Sequence, residues 1–339
     1  MRFALSEDQV DFRDAVASLL SDVCTPDAVR AAWESDGRVH PAWTALAEMG
    51  VLGLMVPESA GGLGMGDEDM VPLLIECGRR ALPDPVGESA YAAAGVLAAV
   101  GGAAAEDWLG RIAGGSTVLC VVDTSAPVAS ASTADAFIFC VDAPDGGVEI
   151  VLATADDVTV EPLESVDGAR RAGRVERRGG SVLLSGPEAA SIAAVAADRL
   201  ALAGAAELVG LGEQMLDLTV GYVAERKQFG VAVGTFQAVK HQLADAALAV
   251  SFAAPLVLHA AHSLAHGLPE APLHVSMAKL RASESARQAA ATSLQCHGAI
   301  GYTVEYDLHL FMKRAWALSY ANGDPDAHRV RIRSALGLR

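Results

Sequence analysis

The sequence predicts a mainly α-helical chain interrupted by one small β-domain. Three observations carry this. Alanine- and leucine-rich segments dominate from Ser191 onward, and these residues favour helix. Short runs of β-branched and aromatic residues, separated by glycine turns, are confined to residues 116–190. A capped amphipathic segment opens the chain. The predicted organisation is an N-terminal helical domain over 1–115, a β-domain over 116–190 and a C-terminal four-helix bundle over 191–339.

The elements follow in order. Ser6-Glu7-Asp8-Gln9 has the form of a capping box, in which hydroxyl and amide satisfy orphan amide donors reciprocally. Behind it, Val10, Phe12, Val16, Leu19 and Leu20 keep helical spacing. A second helix is expected to end near Met49-Gly50, followed by an apolar run, 51–56, closed by Pro57. Gly61-Gly62-Leu63-Gly64 follows no long strand and lacks Gly-x-Gly-x-x-Gly spacing, so it reads as a turn. Helices are expected over 67–80 and 88–100. Runs at 117–122, 136–141 and 148–152 read as strands, with turns at Asp145-Gly146-Gly147 and Arg178-Gly179-Gly180. Asp198 and Arg199 read as the solvated start of a helix.

Composition removes several classes of function. The chain has 339 residues, 52% of them hydrophobic, with 25 Lys and Arg against 42 Asp and Glu. A net charge of −17 and no basic stripe exclude a nucleic-acid binder and disfavour an anionic membrane surface. Five scattered cysteines without a Cys-x-x-Cys pair imply reduced thiols and a cytoplasmic location. Residues 1–12 have no apolar core of a signal peptide. Apolar stretches such as 196–212 are interrupted by charge, so no membrane span is expected. The nine histidines show no ligand pattern, so no metal site is expected.

Four segments together carry a resemblance. They are Leu5-Ser6-Glu7-Asp8-Gln9-Val10-Asp11-Phe12-Arg13-Asp14; Leu46-Ala47-Glu48-Met49-Gly50-Val51-Leu52-Gly53-Leu54 with the glycine loop behind it; Glu225-Arg226-Lys227-Gln228-Phe229-Gly230 with Phe236-Gln237-Ala238-Val239-Lys240-His241; and Gln295-Cys296-His297-Gly298-Ala299-Ile300-Gly301-Tyr302 with Glu305-Tyr306. In this order and spacing the chain resembles the acyl-CoA dehydrogenase family over nearly its whole length. The resemblance implies the helix–strand–helix architecture, the cofactor FAD, an acyl-CoA substrate and an electron-transfer flavoprotein as acceptor. In that chemistry a carboxylate removes the α-proton and the β-hydrogen leaves as hydride to the flavin.

The resemblance also assigns residues. The Arg-x-Gln-Phe-Gly segment of one subunit reaches the ADP half of FAD held by its neighbour. Arg226 is therefore expected at the pyrophosphate, where its planar fork of donors fits. Phe229 is expected by the adenine, with Gln228, Gln237 and Gln295 as polar contacts. His297, Gly298, Ala299 and Gly301 form the loop that approaches the cofactor. Ala299 stands where the family usually has a second glycine. His241 reads as helix surface or interface.

The catalytic glutamate is missing from both places where the family keeps it. Ungapped counting puts one position on Asn322 and the other on Leu200, and neither an amide nor an alkyl side chain abstracts a proton. The flavin-contacting strand of the family corresponds to 120–127 here, without the Gly-Ser-Asp loop. Its Trp-Ile-Ser/Thr strand has no counterpart, since no tryptophan lies between Trp108 and Trp316. The β-domain is shorter than the family's usual one. The leading expectation is a non-catalytic subunit of a heterotetramer, two chains of each kind. A homologous catalytic subunit would supply the base and the flavin-ring pocket, as in actinobacterial enzymes that shorten steroid side chains. Two alternatives stay open: a self-sufficient enzyme with a relocated base, Glu305 or Asp324, and a non-redox acyl-CoA-binding or structural protein on the same scaffold.

Overall fold

The computed structural model describes residues 4–122, 126–143 and 146–338. Asp123, Thr124 and Ser125 of the expected flavin strand, and Asp145 of an expected turn, lie outside them. The N-terminal part packs α1 (Glu7–Val23), α2 (Pro26–Glu34), α3 (His40–Glu48) and α4 (Asp67–Arg79). A π-helix, Val86–Ala93, runs directly into α5 (Ala94–Val100), and α6 (Ala103–Ala113) follows. The capping box forms: the Ser6 hydroxyl accepts from the Gln9 amide at 3.2 Å, and Gln9 Oε1 accepts from the Ser6 amide at 2.9 Å. Two helices rather than one separate α1 from Met49. Thr25 caps a new start with Pro26 in its first turn, so the chain breaks and re-forms helix there.

A four-stranded sheet has the order β1 (Leu119–Val122), β2 (Ala136–Asp142), β3 (Val148–Thr154), β6 (Ser181–Ser185). β1 and β2 are parallel, and the other two pairings are antiparallel. A second ribbon pairs β4 (Val158–Pro162) with β5 (Gly173–Arg177). The C-terminal part is α7 (Pro187–Glu225), a hairpin of β7 (Lys227–Gln228) and β8 (Val231–Ala232), α8 (Gln237–Ala265), α9 (Ala271–His297), α10 (Leu308–Tyr320) and α11 (Pro325–Ala335).

Close packing joins the two helical parts. A Cβ on Gly210 would lie 1.9 Å from the Ile75 carbonyl oxygen, and one on Gly78 would lie 2.1 Å from that of Glu207. Only glycine lets α4 and α7 approach this closely. Buried ion networks cross-link the same elements. Asp67 accepts from the Tyr91 hydroxyl at 2.6 Å and from Arg199 Nε at 2.8 Å. Arg314 on α10 donates to Glu207 at 3.0 Å and to Asp167 at 3.1 Å.

Two sequence expectations are corrected here. Asp198 and Arg199 are not a solvated helix start. α7 already begins at Pro187, and both residues sit in its interior turns; Asp198 is buried and accepts from Arg331 at 2.6 Å. α8, with 29 residues, is long and apolar enough by length and composition to cross a membrane, although no such run was expected. It packs along one side against α9, α7 and α4. The cysteines behave as expected: all five are free, with Cys24, Cys77 and Cys120 buried. Burial pushes the Cys24 thiol up to about 12.

Candidate cofactor clamp and a site without a base

The C-terminal end of α7 turns at Arg226 into the β7–β8 hairpin. Its two turn residues, Phe229 and Gly230, have φ of +53° and +83°. A turn with both central residues at positive φ suits the right-handed twist of a hairpin. Phenylalanine pays about 1–2 kcal/mol to adopt it, and the ring it presents is 93% exposed. The Phe236 ring meets it edge-on at 6.3 Å. Arg226 is exposed and makes no ion pair among the described residues. The Gln228 side chain donates to the neighbouring Lys227 carbonyl, and Gln237 lies 3.3 Å from the His241 ring nitrogen at the start of α8. A cation, two amides and two aromatic rings thus share one exposed strip. An exposed aromatic patch with an unpaired cation is the pattern that marks a binding surface.

Gln295, in the last turn of α9, is exposed, and Gly298 ends that helix at φ +63°. Ala299 is exposed, while Gly301 is buried with room for no Cβ, which would sit 3.0 Å from that of His297. His297 does not face outward as expected of a cofactor contact. Its ring is buried, stacks on Tyr222 at 4.4 Å and meets Tyr306 at 4.8 Å. Its Nδ1–H donates to the Ser293 carbonyl at 2.7 Å, and burial holds the ring below its usual pKa, in the neutral form. His297 therefore braces the loop from beneath. Tyr222 and Tyr306 complete this brace and tie the end of α7 to the end of α9. Sequence reasoning passed over Tyr222, although it lies one helical turn before Arg226.

The two positions counted as missing base sites meet in space. Asn322 Nδ2 donates to the Leu200 carbonyl at 3.2 Å. Asn322 holds φ +55°, in a loop anchored from both sides. Lys279 donates to the carbonyls of Leu318 at 2.9 Å and Gly323 at 3.3 Å, and burial lowers its pKa to about 7. His328 Nε2 donates to the Asn322 carbonyl at 3.1 Å. Leu200 and Asn322 border a cavity of about 20 Å³ together with Glu88, Arg170 and residues of 126–129. That is room for a single water. Glu88 is the carboxylate on this wall, and it escaped sequence reasoning because it lies outside every quoted motif. A groove of about 480 Å³ opens beside the cavity, between residues 163–166 and the Trp316 and Tyr320 face of α10, and Asn322 and Arg170 line it too. The two carboxylates named as possible relocated bases lie as follows. Asp324 caps α11 by accepting from the Ala327 amide at 2.8 Å, and Glu305 is exposed.

Helical domain, small β-region, helical domain, with an arginine–phenylalanine strip at the end of the long helices, define a flavin-dependent dehydrogenase scaffold. Comparison with known proteins agrees. Residues 6–116 match the acyl-CoA dehydrogenase N-terminal domain, and residues 190–337 match its C-terminal domain. The acyl-CoA dehydrogenase IpdE2 of Mycobacterium tuberculosis is 33% identical over 91% of this chain and 91% of its own length. Its counterpart from Mycolicibacterium smegmatis is 33% identical over 95% and 96%. Among solved structures, the ChsE4–ChsE5 complex from Mycobacterium tuberculosis aligns with a TM-score of 0.90 at 25% identity, over 99% of both chains. The Tcur3481–Tcur3483 steroid acyl-CoA dehydrogenase G363A variant aligns at 0.89 and 26%, over 98% of both. The chain belongs to the acyl-CoA dehydrogenase family, FAD-dependent oxidoreductases that act on a CH–CH pair.

Proposed function

We propose that this chain is the non-catalytic subunit of a heteromeric acyl-CoA dehydrogenase. It completes the FAD site of a homologous catalytic partner across their interface. The observation that carries this reading is the hydrogen bond from Asn322 to Leu200. It brings both base positions into one place, and neither holds a carboxylate. The cofactor, when bound, accepts the hydride. Proton abstraction then falls to the partner, since an asparagine amide and a leucine side chain offer no base.

The clamp has the opposite character. Arg226 suits a pyrophosphate because its fork forms paired, charge-assisted hydrogen bonds. Phe229 offers a face for stacking against the adenine, and Gln228, Gln237 and Gln295 offer amides to the ADP half. His297 supports the loop of Gly298, Ala299 and Gly301 rather than touching the cofactor. α8 supports an interface: only 33% of its most apolar stretch is buried, with Leu248 and Phe252 exposed. The similarity to the ChsE4–ChsE5 complex and to the Tcur3481–Tcur3483 steroid enzyme favours a heteromer and a steroid CoA thioester as substrate, and the family resemblance favours an electron-transfer flavoprotein as acceptor.

Purification of the chain alone tests the reading. The expected product is colourless and fails to reduce a ferrocenium acceptor with acyl-CoA. A yellow protein that does so by itself would overturn it and restore the self-sufficient alternative.

A further inference from the structure

We propose that Glu68, His262 and His266 form a site for one divalent ion of the zinc class, clipping α4 to the end of α8. This site is independent of the flavin chemistry. One ligand atom from each of the three residues lies within 4.8 Å of those of the other two. His262 lies in the last turn of α8 and His266 is the residue that caps it, four positions on, with the two ring centroids 4.1 Å apart. Glu68 comes from α4, 194 residues away, and its Oε1 lies 2.7 Å from His262 Nδ1. The histidine count alone gave no ligand pattern because the third ligand is supplied only by the fold.

The hydrogen bonds prepare the donors. His266 Nδ1 lies 2.9 Å from the His262 carbonyl oxygen. A carbonyl only accepts, so Nδ1 carries the proton and Nε2 keeps the lone pair. That is how a metal-ligating histidine is usually oriented, with its other nitrogen donating to a backbone carbonyl. Between Glu68 and His262 the ion takes the place of the shared proton, which leaves to solvent. Zinc–ligand bonds of about 2.0–2.2 Å require the 2.7 Å pair to open slightly and the exposed His266 side chain to swing inward. Three protein ligands leave a fourth position for water. The net charge of −17 raises the local concentration of any cation.

The test uses the full-length chain, stripped with chelator and titrated with zinc chloride by calorimetry. Cobalt(II) in its place reports coordination number by visible absorption. The expected result is one ion per chain, a cobalt spectrum of four-coordinate intensity, and affinity at least ~10-fold weaker in His266→Ala. His266 is exposed, so that variant keeps its fold, and its metal-free melting temperature should match the parent. His274→Gln, in the adjacent imidazole pair formed with His259, should leave zinc affinity unchanged. Absence of binding at ~100 μM zinc, equal affinity in His266→Ala, or loss in His274→Gln instead, would each overturn the proposal.

Discussion

Asn322 occupies a left-handed backbone position that asparagine tolerates better than other side chains do. Its amide is held by Leu200 and its carbonyl by His328. Replacing it by glutamate restores the family's residue without restoring its surroundings. The donor to Leu200 is lost, and the flavin-ring pocket is still left to the partner. Asn322→Glu should therefore give no acyl-CoA-dependent acceptor reduction in the isolated chain. Glu88 borders the same cavity and offers a sharper contrast. Glu88→Gln should leave turnover of the assembled enzyme unchanged. A fall of ~100-fold or more, the scale of general-base loss, would make Glu88 the base. Burial pushes the His328 imidazole down to about 4 from an ordinary value near 6.5. Between those values the unfolded chain binds more protons than the folded one. Stability from the neutral ring is thus complete above pH 6.5 and lost as pH falls towards 4. The melting temperature should drop over that window, and less steeply in His328→Asn.

At the scale of elements, the order of helices and strands was legible, and so was the first cap. Each rests on local signals: a hydroxyl and an amide three residues apart, or alternation over a few residues. What stayed hidden depends on partners distant in sequence. Asp198 and Arg199 look like surface charges until α7 is seen to start at Pro187 and to place them against Arg331 and Asp67. The clamp motif was readable because it is contiguous, from Arg226 to Gln237. The brace beneath it was not, because Tyr222, His297 and Tyr306 meet only through packing. The Arg314 network is the clearest cross-link between elements. Burial raises the Glu207 carboxyl to about 7, and Arg314 is the cation that opposes this. Arg314→Ala leaves Glu207 and Asp167 buried without it. The expected loss is ~3–5 kcal/mol, read as a lower urea midpoint at unchanged slope.

At the scale of the molecule, the proposed reading is that the chain keeps one half of a flavin site and lacks the other. The clamp strip is exposed and free of internal ion pairs among the described residues, while the base positions carry an amide and an alkyl side chain. α8 presents Leu248 and Phe252 as exposed apolar side chains. These features fit together if the two halves of the site come from two different chains. The most direct measurement is flavin stoichiometry in the enzyme co-expressed with its homologous partner, with and without Arg226→Ala. The account predicts one FAD per pair of unlike chains. It also predicts flavin binding weakened by ~10- to 100-fold when Arg226 is truncated, the scale of a charged hydrogen-bond pair, although the partner is untouched. Two FAD per pair, or full flavin retention in Arg226→Ala, would contradict it.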